Sequence, residues 1–474
     1  MLFDISIIVL VNVLFFFRTI WYGMIIDDQA AFVVGHNLMQ ERMKTQSEAK
    51  TFWIDLWRQF KQDYILDPRV GHAFSFLMHM INCVLIYFVF GANEISLLAA
   101  LLFAINPVNN QAAVWLSGRT YSIATSIVLL GVILYRIFPV FYGLMFMWSI
   151  NGFMSPLLFL MSDVPLLALT IFPMAYLMRR RYLGTMRARI ATVTPVMKKF
   201  DYKKILLFFK TFAYYTTLCL FPLRIGMCHS YLHTYGLSDE ETKPWHKIDV
   251  FFILGVALFI GIGWYVYTFG FKESMPLLWW VILIVQWCNL IVINHPITER
   301  YCYLANVGLM YLIASWVIHT PLMWIILGAY GVRTWLFTPV YKTCGEFWES
   351  NVKNFPDVAM GYNQWGLELS KEGKIGTAFD VWILGRKQRP NDFRINYNIS
   401  NLLAGQGRWD IIGEFIAVAE ENLDKNNNYE FWSNNVANIR KAVEEHGVKA
   451  EGVANEVSST TGGSQASGDT QSGG

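Results

Sequence analysis

The feature that most constrains this chain is a series of apolar runs, each about 17–25 residues long, the length at which a helix crosses ~30 Å of hydrocarbon. Charged residues make up 15% of the chain, against about 25% in soluble domains. The sequence therefore predicts an all-α, polytopic membrane protein with about eleven spans. We expect them near residues 3–25, 70–90, 95–106, 119–138, 140–155, 157–178, 205–223, 249–270, 276–293, 301–318 and 321–338.

A cluster of basic residues between the sixth and seventh runs sets the predicted topology. Cytoplasmic loops of membrane proteins carry an excess of Lys and Arg, so this loop and the N-terminus are expected in the cytoplasm. The outer face then receives residues 26–69, 107–118, 224–248, 295–300 and all that follow about residue 339. The cluster comprises Arg179, Arg180, Arg181, Arg187, Arg189, Lys198, Lys199, Lys203 and Lys204.

Two adjacent carboxylates, Asp27 and Asp28, follow the first apolar run. An Asp within hydrocarbon costs ~2.5–3.5 kcal/mol, so carboxylates at a membrane edge mark either the end of a helix or a functional site. Their predicted position on the outer face, beside the other polar loops, favours a functional site.

Two further outer segments each place an arginine at the boundary of a span: residues 106–121, which include Arg119, and residues 294–304, which include Arg300. Each arginine could simply extend its head group to the membrane surface. A guanidinium also matches the geometry of a phosphate and stabilises a phosphate leaving group. Two arginines near two carboxylates therefore indicate an acid/base site with an anion clamp.

The first outer loop has an amphipathic stretch over residues 52–61. It is expected either to lie in the membrane interface or to be an ordinary packing helix.

Residues 340–448 form a predicted soluble domain with a 34-residue repeat. Pro356 and Pro390, Leu369 and Leu403, and Gly373 and Gly407 are each 34 residues apart. This period is typical of tetratricopeptide repeats. Residues 429–447 would be a degenerate third unit or cap. The repeats would either hold an extended peptide or act as a structural lid. The Ser/Gly-rich residues 449–474 are expected to be disordered.

Histidine and cysteine residues give little indication of a metal centre. His72 and His79 lie seven residues apart on one predicted span and could bind a metal, although hydrogen bonding between helices is the role we favour. The six cysteines have no zinc or redox spacing and are expected to pack in the core. We expect neither a metal nor a cofactor.

Five blocks, taken in order, resemble the transmembrane and tetratricopeptide-repeat (TMTC-type) protein O-mannosyltransferases and their bacterial relatives, a branch of the C-type glycosyltransferases. The resemblance covers about residues 5–425. The blocks are the Asp27-Asp28 pair; Gly71-His72 through His79 and Asn82; Phe103 through Val108 and on to Gly118-Arg119; Tyr214-Tyr215 with Leu220-Phe221-Pro222; and Glu299 through Leu304 with Gly308.

The resemblance implies transfer of mannose, or a related sugar, from a polyprenyl-phosphate carrier to a protein hydroxyl, with inversion. Asp27 or Asp28, with Asp27 preferred, would be the base. Arg300 and Arg119 would bind the lipid phosphate, and Glu299 would orient Arg300. Supporting residues would be Gln111, His72, His295 and Tyr303. The chain departs from the family at Asn106-Pro107, Gln111, Tyr121 and Ser162-Asp163-Val164, where several ionisable side chains of the family are missing.

Three functions therefore stay open: a glycosyltransferase, a catalytically silent membrane scaffold that displays repeats, and a transporter of lipid-linked saccharide. Duplicated halves, typical of transporters, are not evident in the sequence. Expected partners are membrane lipid, a lipid-linked sugar donor and a protein or peptide acceptor held by the repeats, with no nucleic acid. We expect a bacterial-type inner membrane, with the endoplasmic reticulum as the alternative, and the repeats on the outer or lumenal side.

Overall fold

A computed structural model describes residues 1–26, 28, 67–134, 203–231, 247–290, 297–423 and 433–446, together with isolated residues 154, 157, 169 and 172. These residues are helical or irregular, with no β-strand among them. Several predictions lie outside the described residues: the spans at 140–178, the amphipathic stretch at 52–61, most of the basic cluster, Asp27, His295 and the tail at 449–474.

The chain divides into two units, Met1–Val358 and Ala359–Gly474. The division assigns residues 340–358 to the first unit, whereas the sequence analysis assigned them to the soluble domain. The helices of the first unit are α1 (Leu2–Phe16), α2 (Pro68–Val89), α3 (Glu94–Ile105), α4 (Asn110–Ala113), α5 (Arg119–Leu134), α6 (Lys203–Leu220), α7 (Val250–Glu273), α8 (Met275–Val285), α9 (Cys302–Val317), α10 (Leu322–Phe337) and α11 (Cys344–Asn354).

Side-chain caps explain where several of these helices begin. Asp67 accepts a hydrogen bond from the Arg69 amide at 2.9 Å, and Pro68 occupies the first turn of α2. At the start of α3, the Asn93 side chain accepts from the Ser96 amide, and the Ser96 hydroxyl accepts from the Asn93 amide. This reciprocal pair satisfies two amides that have no partner within the helix.

Four stretches are long and apolar enough to cross a membrane: Leu2–Trp21, Pro68–Val89, Leu116–Leu134 and Val250–Glu273. The bent pair Glu94–Ile105 and Pro107–Ala113, with an angle of 56° between its parts, would make a fifth. These counts apply to the described residues and are compatible with a membrane protein. The helix positions follow the predicted runs closely, but α8 has only 11 residues.

Large apolar side chains on the outside of the first unit are exposed, as expected for helices that contact lipid. They include Phe17, Trp21, Leu254, Trp264, Tyr267, Trp316, Trp324 and Trp335. Polar side chains are instead gathered in the interior, where Asn12, His79, Asn82, Asn106 and Asn306 are fully buried. This inside-out distribution supports the membrane assignment.

The two ends of the helical bundle differ in their contacts. At one end, Tyr87 donates a hydrogen bond to Asp4 at 2.6 Å, and Phe90 stacks on Tyr311 with ring centroids 4.1 Å apart. The other end gathers the segments 22–26, 67–72, 106–119, 221–231, 297–302 and 338–344 together with Asp28, and is called the site end below. One bond that joins these segments runs from the Gly23 amide to the Lys342 carbonyl at 3.1 Å.

The second unit is built from helix pairs that repeat at the predicted period. Its helices are α12 (Ala359–Lys371), α13 (Ile375–Gln388), α14 (Phe393–Gly405) and α15 (Trp409–Glu421), and residues 433–446 are also helical. α12 and α14 begin 34 residues apart, as do α13 and α15.

Equivalent turns close the first helix of each pair. Gly373 and Gly407 both adopt positive φ, 76° and 70°. The carbonyls of Leu369 and Leu403 accept from the amides of Lys374 and Arg408 at 2.9 and 3.0 Å. A position with left-handed backbone angles at a helix end favours glycine, because glycine has no Cβ. The two repeated glycines therefore allow the same turn in both helix pairs.

Candidate functional site

Asp28 is fully buried at the site end, and its carboxylate accepts three hydrogen bonds. Oδ1 accepts from the Ser117 amide at 2.9 Å and from the Ser117 hydroxyl at 2.6 Å. Oδ2 accepts from the Ile25 amide at 3.0 Å. These bonds fix the end of the first span against residues 116–118, which form a short 3₁₀ helix. Asp27 lies outside the described residues.

Gln111 joins the segment 106–119 to the segment 297–302. Its Oε1 accepts from the Thr298 hydroxyl at 2.7 Å and from the Arg300 amide at 2.8 Å. Gly118 lets the chain fold back tightly here, because a Cβ at this position would lie 2.1 Å from the Gln111 carbonyl oxygen. The two predicted outer segments therefore form one structure around Gln111.

The Arg300 guanidinium lies among aromatic rings. Its Cζ is 5.1 Å from the centre of the Trp115 ring, 5.6 Å from Tyr301 and 5.9 Å from Tyr121. Trp287 stacks on Tyr301 with centroids 4.0 Å apart. Cation–π contacts of this kind hold a guanidinium in place without neutralising its charge.

The Glu299 side chain contacts the loop after α6. Its Oε1 accepts from the Gly226 amide and lies 3.6 Å from His229 Nε2, and both side chains are fully buried. Burial raises the pKa of Glu299 well above its usual range, against the opposing effects of the Gly226 hydrogen bond, Arg333 and Arg300. Burial also lowers the pKa of His229 to about 3. His229 is therefore neutral near pH 7, and burial favours the protonated form of Glu299.

The loop that carries Gly226 is itself held by α11. Asn351 Oδ1 accepts from the amides of Met227 and Cys228 at 2.9 and 3.1 Å. Asn354 donates to the Ile225 carbonyl at 3.0 Å. Through these bonds, α11 positions the partner loop of Glu299.

The two histidines of α2 make hydrogen bonds to other segments. His72 Nε2 lies 3.1 Å from the Gly23 carbonyl oxygen. His79 bridges the Tyr303 hydroxyl at 2.6 Å and the Ala104 carbonyl at 3.1 Å. Within the described ranges, no group of three or more His, Cys, Asp or Glu side chains could hold a metal ion.

Arg119 and Tyr303 are also at or near this end of the bundle. Arg119 is 2% exposed, and its Nη1 lies 3.6 Å from where a Cβ would stand on Gly71. Tyr303 is fully buried and also accepts a hydrogen bond from Asn82 at 3.3 Å. The structure thus gathers Asp28, Gln111, Arg119, Glu299, Arg300 and His72 at the site end. His295 lies outside the described residues.

Two residues of this end were missed by the sequence analysis, His229 and Tyr341. His229 contacts Glu299 and also lies 3.0 Å from the Tyr214 hydroxyl. Tyr341 is fully buried and interacts electrostatically with Glu299 and Arg300. Neither residue stands in a recognisable spacing pattern, so the sequence offers no signal that would have found them.

No family model, no curated protein and no solved structure matches the chain.

Proposed function

We propose that the chain is a membrane glycosyltransferase that moves mannose, or a related sugar, from a polyprenyl-phosphate donor to a protein hydroxyl. The observation that carries this proposal is the Arg300 guanidinium held among Trp115, Tyr121 and Tyr301, at the same end of the bundle as the buried Asp28. In such a reaction, a carboxylate removes the proton of the attacking hydroxyl. A guanidinium stabilises the charge of the departing phosphate.

In the proposed reaction, Asp27 takes the proton of the acceptor hydroxyl. The hydroxyl oxygen attacks the anomeric carbon, and the bond from that carbon to the phosphate oxygen breaks with inversion. Arg300, with Arg119, stabilises the charge of the departing lipid phosphate. The three hydrogen bonds to Asp28 support this division of roles, because they occupy Asp28 in positioning the loop and leave Asp27 as the base.

The helix pairs of the second unit are proposed to be tetratricopeptide repeats that hold the protein acceptor. Their 34-residue period and repeated glycine turns support this. The proposed site is on the outer face of a bacterial-type inner membrane or the lumenal face of the endoplasmic reticulum. The proposed donor is polyprenyl-phosphate mannose, with no metal or cofactor.

The test is transfer of labelled mannose from polyprenyl-phosphate mannose to protein in membranes. We expect transfer by the wild type and a loss of about 100-fold or more in Asp27→Asn and in Arg300→Gln. Glu94→Gln, an exposed change at the opposite end of the bundle, serves as the control and should transfer normally. Transfer that survives both site variants would remove these roles, and absence of transfer by the wild type would favour a silent scaffold.

A further inference from the structure

The orientation of the Gln111 amide is determined by its partners. The Arg300 backbone N–H can only donate, so the Gln111 atom 2.8 Å from it must be the oxygen. The other end of the amide is therefore the NH₂ group. Gln111 is fully buried, and in the part of the chain that the structure describes its Nε2 has no hydrogen-bond partner.

Trp115 provides a second donor of the same kind. It follows Gln111 by four positions in the chain, is 3% exposed, and places its ring beside the Arg300 guanidinium at 5.1 Å. Its indole Nε1–H has no hydrogen-bond partner within the described residues. A buried donor without an acceptor is costly, and here two such donors belong to side chains that both contact Arg300.

The chemistry of these groups selects the class of ligand. The Gln111 NH₂ and the indole N–H only donate, as does a guanidinium. A sugar hydroxyl both donates and accepts, and would also need an acceptor from the protein. A phosphate diester or monoester offers oxygens that accept, and its charge suits Arg300.

We propose that Gln111 Nε2 and Trp115 Nε1 donate hydrogen bonds to the oxygens of a phosphate group bound by Arg300. The three side chains form one site, called the donor cluster below. This inference rests on the proposed function and deepens it, because it names two residues that recognise the phosphate of the lipid carrier. Through them the protein distinguishes a polyprenyl phosphate from the corresponding alcohol.

Two substitutions test the donor cluster with little other change. In Gln111→Glu, a carboxylate oxygen can still accept from Thr298 and Arg300, while the free NH₂ becomes an acceptor that repels phosphate. In Trp115→Phe, an aromatic ring stays beside Arg300, and the N–H is lost without any change of charge. The matched control is Trp280→Phe, which removes a buried indole N–H that is likewise unpartnered among the described residues. Trp280 follows Trp279, a neighbour of Phe90 at the opposite end of the bundle.

The measurement is binding of undecaprenyl phosphate, undecaprenol and inorganic phosphate to the purified full chain by calorimetry. We expect the wild type and Trp280→Phe to bind undecaprenyl phosphate equally and undecaprenol much more weakly. Gln111→Glu and Trp115→Phe should each weaken undecaprenyl phosphate binding by about 10- to 100-fold. The same loss of affinity for inorganic phosphate would show that the protein recognises the phosphate group itself. A loss with the lipid alone would place recognition at a phosphate that the lipid chain positions.

Retention of wild-type affinity for undecaprenyl phosphate by both variants would overturn the donor cluster, as would equal binding of undecaprenol or no binding by the wild type. The mannose transfer assay separates this failure from that of the proposed function. Binding that depends on Gln111 and Trp115 without any sugar transfer would support the phosphate site and reject the transferase. Transfer with unchanged binding in both variants would reject the donor cluster alone.

Discussion

Asp28 and Ser117 are joined through a single carboxylate oxygen, which accepts both the backbone amide and the hydroxyl of Ser117. The two residues come from segments 89 positions apart in the chain. Because the contact is fully buried on the Asp28 side, it fixes where the chain leaves the first span.

We predict that Asp28→Ala destabilises the protein by about 1–3 kcal/mol for each buried donor that it leaves unpaired. Asp28→Asn should cost less, because its amide oxygen can still accept from Ser117. The measurement is thermal unfolding in detergent, with Ser117→Ala and the double variant completing a cycle. Strict additivity of Asp28→Ala and Ser117→Ala would show that the two side chains do not interact in this way.

The buried His229 predicts a loss of stability in acid. Its pKa falls from 6.5 to about 3 on burial, so the unfolded chain takes up the proton first as pH decreases. The contribution is fully present above about pH 6.5 and is lost as pH falls toward 3, by up to about 1.4 kcal/mol per pH unit. His229→Gln should show a shallower decline of the unfolding temperature between pH 6.5 and 4.

The effect of pH on stability through Glu299 is opposite to the effect through His229, so Glu299 serves as the comparison. Burial raises its pKa, so its contribution is present below the unfolded value of 4.5 and is lost as pH rises through the folded pKa. Glu299→Gln should therefore reduce the loss of stability that occurs as pH rises above about 4.5, and should leave the profile below that pH unchanged. Identical pH profiles for wild type, His229→Gln and Glu299→Gln would contradict both assignments.

Because α8 packs closely against α9, we expect one added methyl group at Gly308 to destabilise the protein. A Cβ on Gly308 would stand 2.4 Å from the Pro276 carbonyl oxygen and 2.6 Å from Trp279 Cβ. Gly308→Ala should therefore separate the helices at a cost of about 1–3 kcal/mol. On α7, a Cβ on Gly263 meets nothing within 4 Å, so Gly263→Ala should be neutral or stabilising by up to about 1 kcal/mol. Thermal unfolding compares the two, and equal effects would reject the packing argument.

In the second unit, we expect Asp392 to stabilise the start of α14. Its carboxylate accepts from the Arg394 amide at 3.0 Å and the Ile395 amide at 3.3 Å, and pairs with the Arg394 guanidinium at 2.8 Å. Burial alone would raise the pKa of Asp392, but Arg394 and the two amides outweigh it and lower the pKa. The contribution is thus present above about pH 3.8 and is lost as pH falls through the lower folded value.

Asp392→Ala should destabilise α14 by about 1–2 kcal/mol. Hydrogen exchange of residues 393–405 in the full chain measures this directly. Asp410→Ala removes a similar but exposed pair with Arg408, 3.5 Å apart, and should change exchange by no more than about 0.5 kcal/mol. Comparable deprotection by both variants would indicate that burial of the pair does not matter.

The positions of the helices could be predicted from the sequence because the membrane imposes a length on each apolar run. The predicted span at 276–293 shows the limit of this argument. Its run is apolar except for Gln286 and Asn289, but the helix ends at Val285, and Asn289 adopts a positive φ of 62°. Hydropathy does not report a change of backbone conformation, so the shortening was not predictable.

The candidate site was predictable only in part, for a different reason. Asp28, Arg119 and Arg300 could be selected because charge at a membrane boundary is costly. Their partners could not, since Gln111 bonds Thr298 across 187 positions and Gly226 bonds Glu299 across 73. A single sequence has no signal for such pairings, and His229 and Tyr341 were missed for this reason.

The bond from the Ile26 amide to Cys344 Sγ, 3.2 Å long, spans 318 positions of the chain. The helix α1 therefore leaves the ribosome long before the residue that anchors its end has been made. During synthesis the Ile26 amide lacks this partner until Cys344 has been added. A nascent chain that stops before α11 would contain every proposed catalytic residue and still lack this anchor.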